Sequence, residues 1–190
     1  LSIGADTALN NAIGALDSIK QSAAASHRCF VAESMGRKCG YLALMSGIAT
    51  GAERVYLHED GLTLAQLARD SARMVESFRS GRQLYLVIRN ERASENYTLD
   101  VLAKIFAQEG RGLYDVRHAA IGHLQQGGDP SAFDRIMATK LVAHALGLLA
   151  DQLEAGTHHS SYVGLTGGRI THHRLEHMND ELDLNSRRPL

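Results

Sequence analysis

Little in this 190-residue sequence is extreme, and each shortage removes a class of protein. Only two cysteines are present, Cys29 and Cys39. A chain of this length buries a core without covalent staples, so the pair reads as a reduced, cytosolic protein rather than a disulfide-held secreted one. Neither sign of charge dominates: 20 Lys and Arg stand against 21 Asp and Glu, for a formal net charge of −1. No global field draws the chain to nucleic acid or to an anionic membrane, and anion binding has to be local. No apolar run approaches the length of a bilayer-spanning helix, and the opening LSIGADTALN has neither the basic segment nor the apolar core of a secretory leader. With only Pro130 and Pro189 as prolines and no low-complexity linker, composition marks no internal domain boundary. Leu1 falls at a helix approach, as expected of a piece of a longer chain.

What is present is a repeating alternation. Asp6 or Thr7 can cap a first helix carrying Leu9, Ile13, Leu16 and Ile19 at helical spacing, ending in the small polar run from Gln21 to Ser26. Arg28 to Ser34 reads as a strand, Met35 to Lys38 as a loop, and Gly40 to Gly51 as a short apolar helix. Arg54 to His58 is a second strand, and Thr63 with Gln66 forms a capping-box pattern ahead of a helix bearing Leu64, Leu67, Met74, Val75 and Phe78. Gln83 to Ile88 is a continuous apolar run suited to burial on both faces, and the charged Arg89-Asn90-Glu91-Arg92 follows it. Thr98 or Asn96 can cap the next helix, with Gly110 and Gly112 ending it.

Val116 to Ile121 is then apolar enough for a buried strand. Gly122 to Asp129 is a glycine loop that lets backbone approach a ligand, and Ser131 opens a long helix to about Glu154 with Ile136, Leu141, Ala145 and Leu148 on its stripe. Thr166-Gly167-Gly168 suggests a hairpin between Tyr162 to Leu165 and Arg169 to Thr171, and from His172 onward a polar helix and tail are expected. Four βα steps of crossover length predict an α/β fold, a three-layer sandwich with a mainly parallel sheet flanked by helices on both faces.

In such sheets ligands bind beyond the carboxyl ends of the strands. Met35, Gly36 and Arg37 follow the first strand, Asn90 and Glu91 the third, and His123 to Gly128 the fourth. Arginine there can take a phosphate through bidentate hydrogen bonds, Glu91 can accept from sugar hydroxyls, and His123 can donate to either, so a polar phosphorylated small molecule fits better than an apolar one. Each has a bland reading beside the functional one. Strand-end arginines are usually solvated, Glu91 can simply pair with Arg92, His123 can be a satisfied core histidine, and Cys29 reads as buried and inert. His158-His159 and His172-His173 are adjacent rather than at the i, i+4 spacing of zinc hydrolases, and His173 with His177, which has that spacing, lacks the Glu following its first His, so no metal site is expected. There is no GxxxxGK[ST], no GxSxG, and no Ser/His/Asp set that spacing can assemble.

The phrases VAESMGRKCGYLA (Val31 to Ala43), LVIRNE (Leu86 to Glu91) and IGHLQQGGDPSAFDRIMATK (Ile121 to Lys140), in this order, resemble the 6-phosphofructokinase family, and closest the carboxyl-terminal half of its double-length enzymes. The resemblance implies transfer of the ATP γ-phosphate to fructose 6-phosphate in glycolysis. It also implies a cytoplasmic oligomer, or paired halves, sharing the sugar-phosphate site. Carried over by position, it implies that Met35, Gly36 and Arg37 contact fructose 6-phosphate, that Glu91 binds sugar hydroxyls and that His123 binds phosphate. Arg28 and Arg117 match arginines reaching the 6-phosphate of a neighbouring subunit or half. At Gln126 catalytic members carry an arginine, and a neutral amide there is typical of regulatory halves that bind fructose 2,6-bisphosphate, whereas Arg37 points to the catalytic type. The ATP loop and catalytic aspartate would lie upstream of anything matching Leu1, so no catalytic residue and no Mg-ATP site are expected in this chain, which alone should be inactive. Residues 1–124 would be the sugar-phosphate-binding domain, and 125–190 would pack toward a nucleotide-binding domain.

Overall fold

In a computed structural model describing residues 2–23, 27–183 and 188–189, strands and helices alternate much as their periodicities predict. Helix α1 (Ala5–Ala23) is followed by β1 (Arg28–Ser34), α2 (Tyr41–Thr50), β2 (Arg54–Tyr56), α3 (Leu64–Arg79), β3 (Leu84–Asn90), α4 (Leu99–Gly110) and β4 (Asp115–Ala120). The strands pair in the order β2-β3-β1-β4, all parallel. Successive strand residues face opposite sides, so two cores form. Cys29, Val31 and Val87 meet Leu67, Met74, Leu102 and Phe106 of α3 and α4. Ala32, Leu86 and Ile88 meet Ala12, Leu16 and Ala43 of α1 and α2. Burial on both faces is why β3 is apolar from Leu84 to Ile88, before the buried Arg89 and Asn90 close it. The architecture is the three-layer α/β sandwich. Each fully buried Leu or Phe contributes about 1.5–3 kcal/mol, and Phe106→Ala is the single change that would most damage the α4 contact.

Local chemistry sets the ends. Thr63 and Thr98 each accept a hydrogen bond from the backbone three residues on, at 3.3 and 3.4 Å, which settles the choice between Asn96 and Thr98. Helix α4 ends differently from expectation: Arg111, at φ 46°, takes the left-handed position. Gly110 is needed for packing instead, since a Cβ there would lie 2.7 Å from the Tyr114 ring. Strand β4 also departs from its reading as a buried strand. It is an edge strand of the sheet, paired to β1, with Asp115, Arg117, His118 and Ala120 exposed.

The chain resolves into two compact units, Thr7–Asp129 and a second made of Leu1–Asp6 with Pro130–Leu190. The second unit contains α5 (Ala132–Glu154) and the antiparallel hairpin of β5 (Ser161–Thr166) and β6 (Arg169–Arg174), turning through Gly167 and Gly168 at φ 58° and 78°. Helix α5 is apolar nearly all round. Its half-buried positions are Met137, Ala138, Leu141, His144, Leu148 and Gln152, whereas Ile136 and Ala145, expected on the inward stripe, are exposed. By length and mean hydropathy alone it passes for a membrane-crossing helix, but Lys140, His144 and Asp151 interrupt it, so it is not the continuous apolar run that the sequence lacks. Lys140 and Asp151 within it would each be costly in a bilayer core. Beyond β6 the expected polar helix is only a 3-10 turn, Leu175–His177, and the four-residue α6 (Met178–Glu181). Two-residue strands β7 (Leu182–Asp183) and β8 (Arg188–Pro189) follow, and residues 184–187 and 190 of the expected tail lie outside the described residues.

Candidate functional site

The carboxyl ends of β1 and β3 are level, Ser34 opposite Asn90, and β4 ends beside them with Ala120 opposite Glu33. Three loops therefore leave the sheet together. The first carries Met35, Gly36 and Arg37, the second Glu91, and the third is a 3-10 turn, Gly122–Gln126, carrying His123 and Gln126.

Hydrogen bonds tie these loops into one structure. Gly36 N donates to Glu91 Oε1 at 3.0 Å, so Glu91 serves the first loop rather than pairing with Arg92. Asn90, fully buried, donates from Nδ2 to Gly36 O at 2.9 Å and to Cys39 O at 3.4 Å, and its Oδ1 accepts from Arg92 N at 2.9 Å. Gly36 sits at φ +149°, and a Cβ there would fall 2.6 Å from Asn90 Nδ2. Gln125 accepts from Met35 N at 2.7 Å through Oε1 and donates to Ser34 Oγ at 3.3 Å through Nε2. Asn11 of α1 holds the third loop by donating to Gln125 O at 3.4 Å and to Gly127 O. His123 is exposed, not a core histidine, and its Nδ1 meets Gln126 Oε1 at 3.1 Å. Arg37 is exposed as well.

Arg28 and Arg117 lie elsewhere. Arg28 opens β1, six residues before Ser34, or about 20 Å of strand from the rim. Both arginines approach Asp115 Oδ2, Arg28 Nε at 3.7 Å and Arg117 Nη2 at 2.9 Å. One carboxylate shared by two guanidiniums leaves a local excess of positive charge, and among the described residues the buried Arg28 Nε has no hydrogen-bond partner.

A cleft of about 520 Å³ opens on the α4 side of the same rim, lined by Glu33, Arg89, Arg92, Glu95, Asp100 and neighbours; of the residues selected from sequence it includes Glu91 alone. Arg89 is buried there, paired with Glu33 and donating to Ser94 O at 3.0 Å. More carboxylates than guanidiniums line this cleft, so the loops carrying His123 and Arg37 suit a phosphate better. Cys29 is buried, and burial together with the nearby Glu53 charge pushes its thiol up, as fits an inert core cysteine. Among the described residues no group of three His, Cys, Asp or Glu side chains can hold a metal. In the second unit, His144 Nε2 and His172 Nδ1 lie 3.1 Å apart as a hydrogen-bonded pair, and His173 is tied to Glu181.

A phosphofructokinase family profile matches residues 1–149. The chain belongs to the phosphofructokinase family. It is 44% identical over 191 residues to ATP-dependent 6-phosphofructokinase of Dictyostelium discoideum, a match spanning 100% of this chain and 23% of that protein. It is 43% identical over 154 residues to the muscle-type enzyme of Oryctolagus cuniculus, covering 80% of this chain and 20% of the relative. The solved phosphofructokinase of Saccharomyces cerevisiae superposes with a TM-score of 0.89 at 32% identity, over 100% of this chain and 26% of that one. A pyrophosphate-dependent phosphofructokinase from Marinobacter aquaeolei shares the fold, with a TM-score of 0.60 at 18% identity. The chain thus spans about a quarter or less of the length of the Dictyostelium, rabbit and yeast relatives.

Sequence reasoning did not select Gln125, the most deeply buried residue of the third loop. A glutamine between Leu124 and Gln126 in a glycine-rich stretch reads as solvated. The available clue was periodic: in a 3-10 turn, Gly122 and Gln125 share a face, so one of two adjacent glutamines has to turn inward.

Proposed function

We propose that this chain is the sugar-phosphate-binding, carboxyl-terminal part of an ATP-dependent 6-phosphofructokinase. The observation that carries the reading is the joining of three strand-end loops, through Gly36–Glu91 and Met35–Gln125, into one rim bearing Arg37, Glu91, His123 and Gln126. Glu91 has one carboxylate oxygen engaged by Gly36 N, and the other would accept from sugar hydroxyls. Met35 and Gly36 would bring backbone close to the sugar. His123, Gln126 and Arg37 would donate to its phosphate. Arg28, at the opposite end of β1, and Arg117, midway along β4, would reach the 6-phosphate bound by a neighbouring subunit or half. Phosphoryl transfer would then rest on positioning and charge stabilisation.

ATP-dependent members of the family use Mg-ATP, and among the described residues no group of three His, Cys, Asp or Glu side chains can hold a metal. The test is calorimetry of the natural, assembled protein with fructose 6-phosphate, against Glu91→Gln. Wild-type binding weakened about tenfold or more by the substitution is expected, and absence of wild-type binding refutes the reading.

A second reading rests on Gln126, whose neutral amide stands where an arginine would strengthen phosphate binding. On that reading the same rim belongs to a regulatory half and takes fructose 2,6-bisphosphate. The two ligands compared on one preparation discriminate: preference for the monophosphate removes the second reading.

A further inference from the structure

Arg37, His123 and Gln126 on the rim are exposed and Glu91 is half-buried, yet what orders them is fully buried. Gln125 is 1% exposed, although Leu124 beside it is 72% exposed, an inversion of the usual preference. A buried amide is costly unless its polar atoms are satisfied. Gln125 satisfies both by bonding outside its own loop, through Oε1 to Met35 N at 2.7 Å and Nε2 to Ser34 Oγ at 3.3 Å. It therefore links the 3-10 turn carrying His123 and Gln126 to the loop carrying Arg37. Asn11 grips the same turn from behind through Gln125 O, so the turn cannot slide without breaking bonds to two elements.

The geometry points to Gln125 as a positioning residue: a buried neutral strut that fixes the spacing between the Met35–Arg37 loop and the His123–Gln126 turn, so that both meet one sugar phosphate. This rests on the sugar-phosphate reading above. Neutrality matters to the role. A carboxylate in place of the amide could still accept from Met35 N, but it would bury a negative charge next to the ligand's phosphate and near Glu91. A hydrocarbon of similar shape would leave Met35 N without its acceptor and free the two loops to drift.

The test is Gln125→Met in the natural, full-length protein, with steady-state kinetics for both substrates. The KM for fructose 6-phosphate is expected to rise about tenfold, with kcat and the KM for ATP each changed by less than about twofold. A residue that merely supports folding would lower kcat in proportion to the folded fraction and leave KM unmoved; that result overturns the proposal. Wild-type enzyme that fails to saturate with fructose 6-phosphate overturns the functional reading instead, which keeps the two failures distinct. A measurement without any variant stands beside it. The Met35 amide of the wild type should be protected from hydrogen exchange, and exchange at the rate of an unstructured amide would show that the strut does not form.

Discussion

Gly36 offers a sharp test of the loop geometry, because alanine there meets two separate obstacles. Its φ of +149° is strained for any residue with a Cβ, at about 1–3 kcal/mol. The added carbon would also lie 2.4 Å from Cys39 O and 2.6 Å from Asn90 Nδ2. The first of these atoms is backbone and cannot rotate away. The second is the donor that holds Gly36 O, so its retreat loses a hydrogen bond worth about 1 kcal/mol. Together Gly36→Ala should cost about 2–4 kcal/mol, a large part of a typical domain's stability of about 5–15 kcal/mol but not all of it. Gly127 is the control in the neighbouring loop. Its φ is −89°, and an added Cβ would meet nothing nearer than 3.9 Å. Gly127→Ala should therefore be neutral or stabilise by up to about 1 kcal/mol through the unfolded chain. Urea denaturation at constant slope reads the difference, with Gly36→Ala lowering the midpoint by on the order of 1 M. In an Asn90→Ala background the penalty should shrink, since one of the two clashes is gone. Equal midpoints for the two alanine variants would refute the reasoning.

Gln126→Arg replaces a neutral donor by a charged one and should tighten fructose 6-phosphate binding about 5- to 30-fold in low-salt calorimetry, with the gain shrinking as salt rises; an unchanged Kd would count against a phosphate at that position. Removing Glu33 strands Arg89, whose side chain is 3% exposed. Because Glu33 itself is 22% exposed, Glu33→Ala should cost near the lower end of the range for buried pairs, about 3 kcal/mol in urea unfolding, and a cost below about 1 kcal/mol would mean Arg89 finds water. At alkaline pH, burial pushes the phenols of Tyr56, Tyr85 and Tyr114 up, with the Asp70 carboxylate adding to the effect at Tyr56. Their contribution is intact below about pH 10, where both states hold the proton. Above that the unfolded chain releases protons the native state keeps, so stability falls by up to about 1.4 kcal/mol per pH unit for each tyrosine. Thermal midpoints that hold steady from about pH 9 to about pH 11 would contradict this.

How much was legible in the sequence depended on how local the determining physics was. Strands β1 and β3 announced themselves through their apolar cores, Cys29 to Ala32 and Leu84 to Ile88, because strands covered on both faces have to be apolar there, and Thr63, Thr98 and Ser131 cap helices through bonds three residues away. The rim was legible for the same reason: polar residues gather where apolar strands stop. Strand β4 misled because its alanines fit a buried strand and an edge strand equally, and only the pairing order places it outside. Arg111 in the left-handed position was hidden by glycines on both sides, since nothing local says that Gly110 is reserved for the Tyr114 ring. Composition does not change at Asp129–Pro130, where the two units divide, and the expectation of a division at 124/125 came from the family resemblance instead. Long-range partners were out of reach altogether: Gln125 and Met35 are 90 residues apart.

The rim separates two tasks that a smaller site would have to combine. Its rigidity comes from Asn90 and Gln125, buried amides that carry no net charge and whose partners are largely backbone. Its proposed phosphate-facing donors are the exposed Arg37 and His123, its carboxylate is the half-buried Glu91, and its tunable position is the exposed Gln126, whose contact is His123 on the same turn. Changing an exposed residue costs the fold little, usually within about 0.5 kcal/mol, whereas charging or removing a buried amide costs much more. On the proposed reading, positions 37 and 126 can therefore vary between catalytic and regulatory halves while the scaffold stays fixed. The mixed pattern here, arginine at 37 and glutamine at 126, is then physically unproblematic: each position adjusts phosphate affinity without disturbing the other. That independence is itself measurable. The affinity changes caused by Arg37→Gly and Gln126→Arg should add within about 0.5 kcal/mol, and strong coupling between them would place both on one phosphate oxygen.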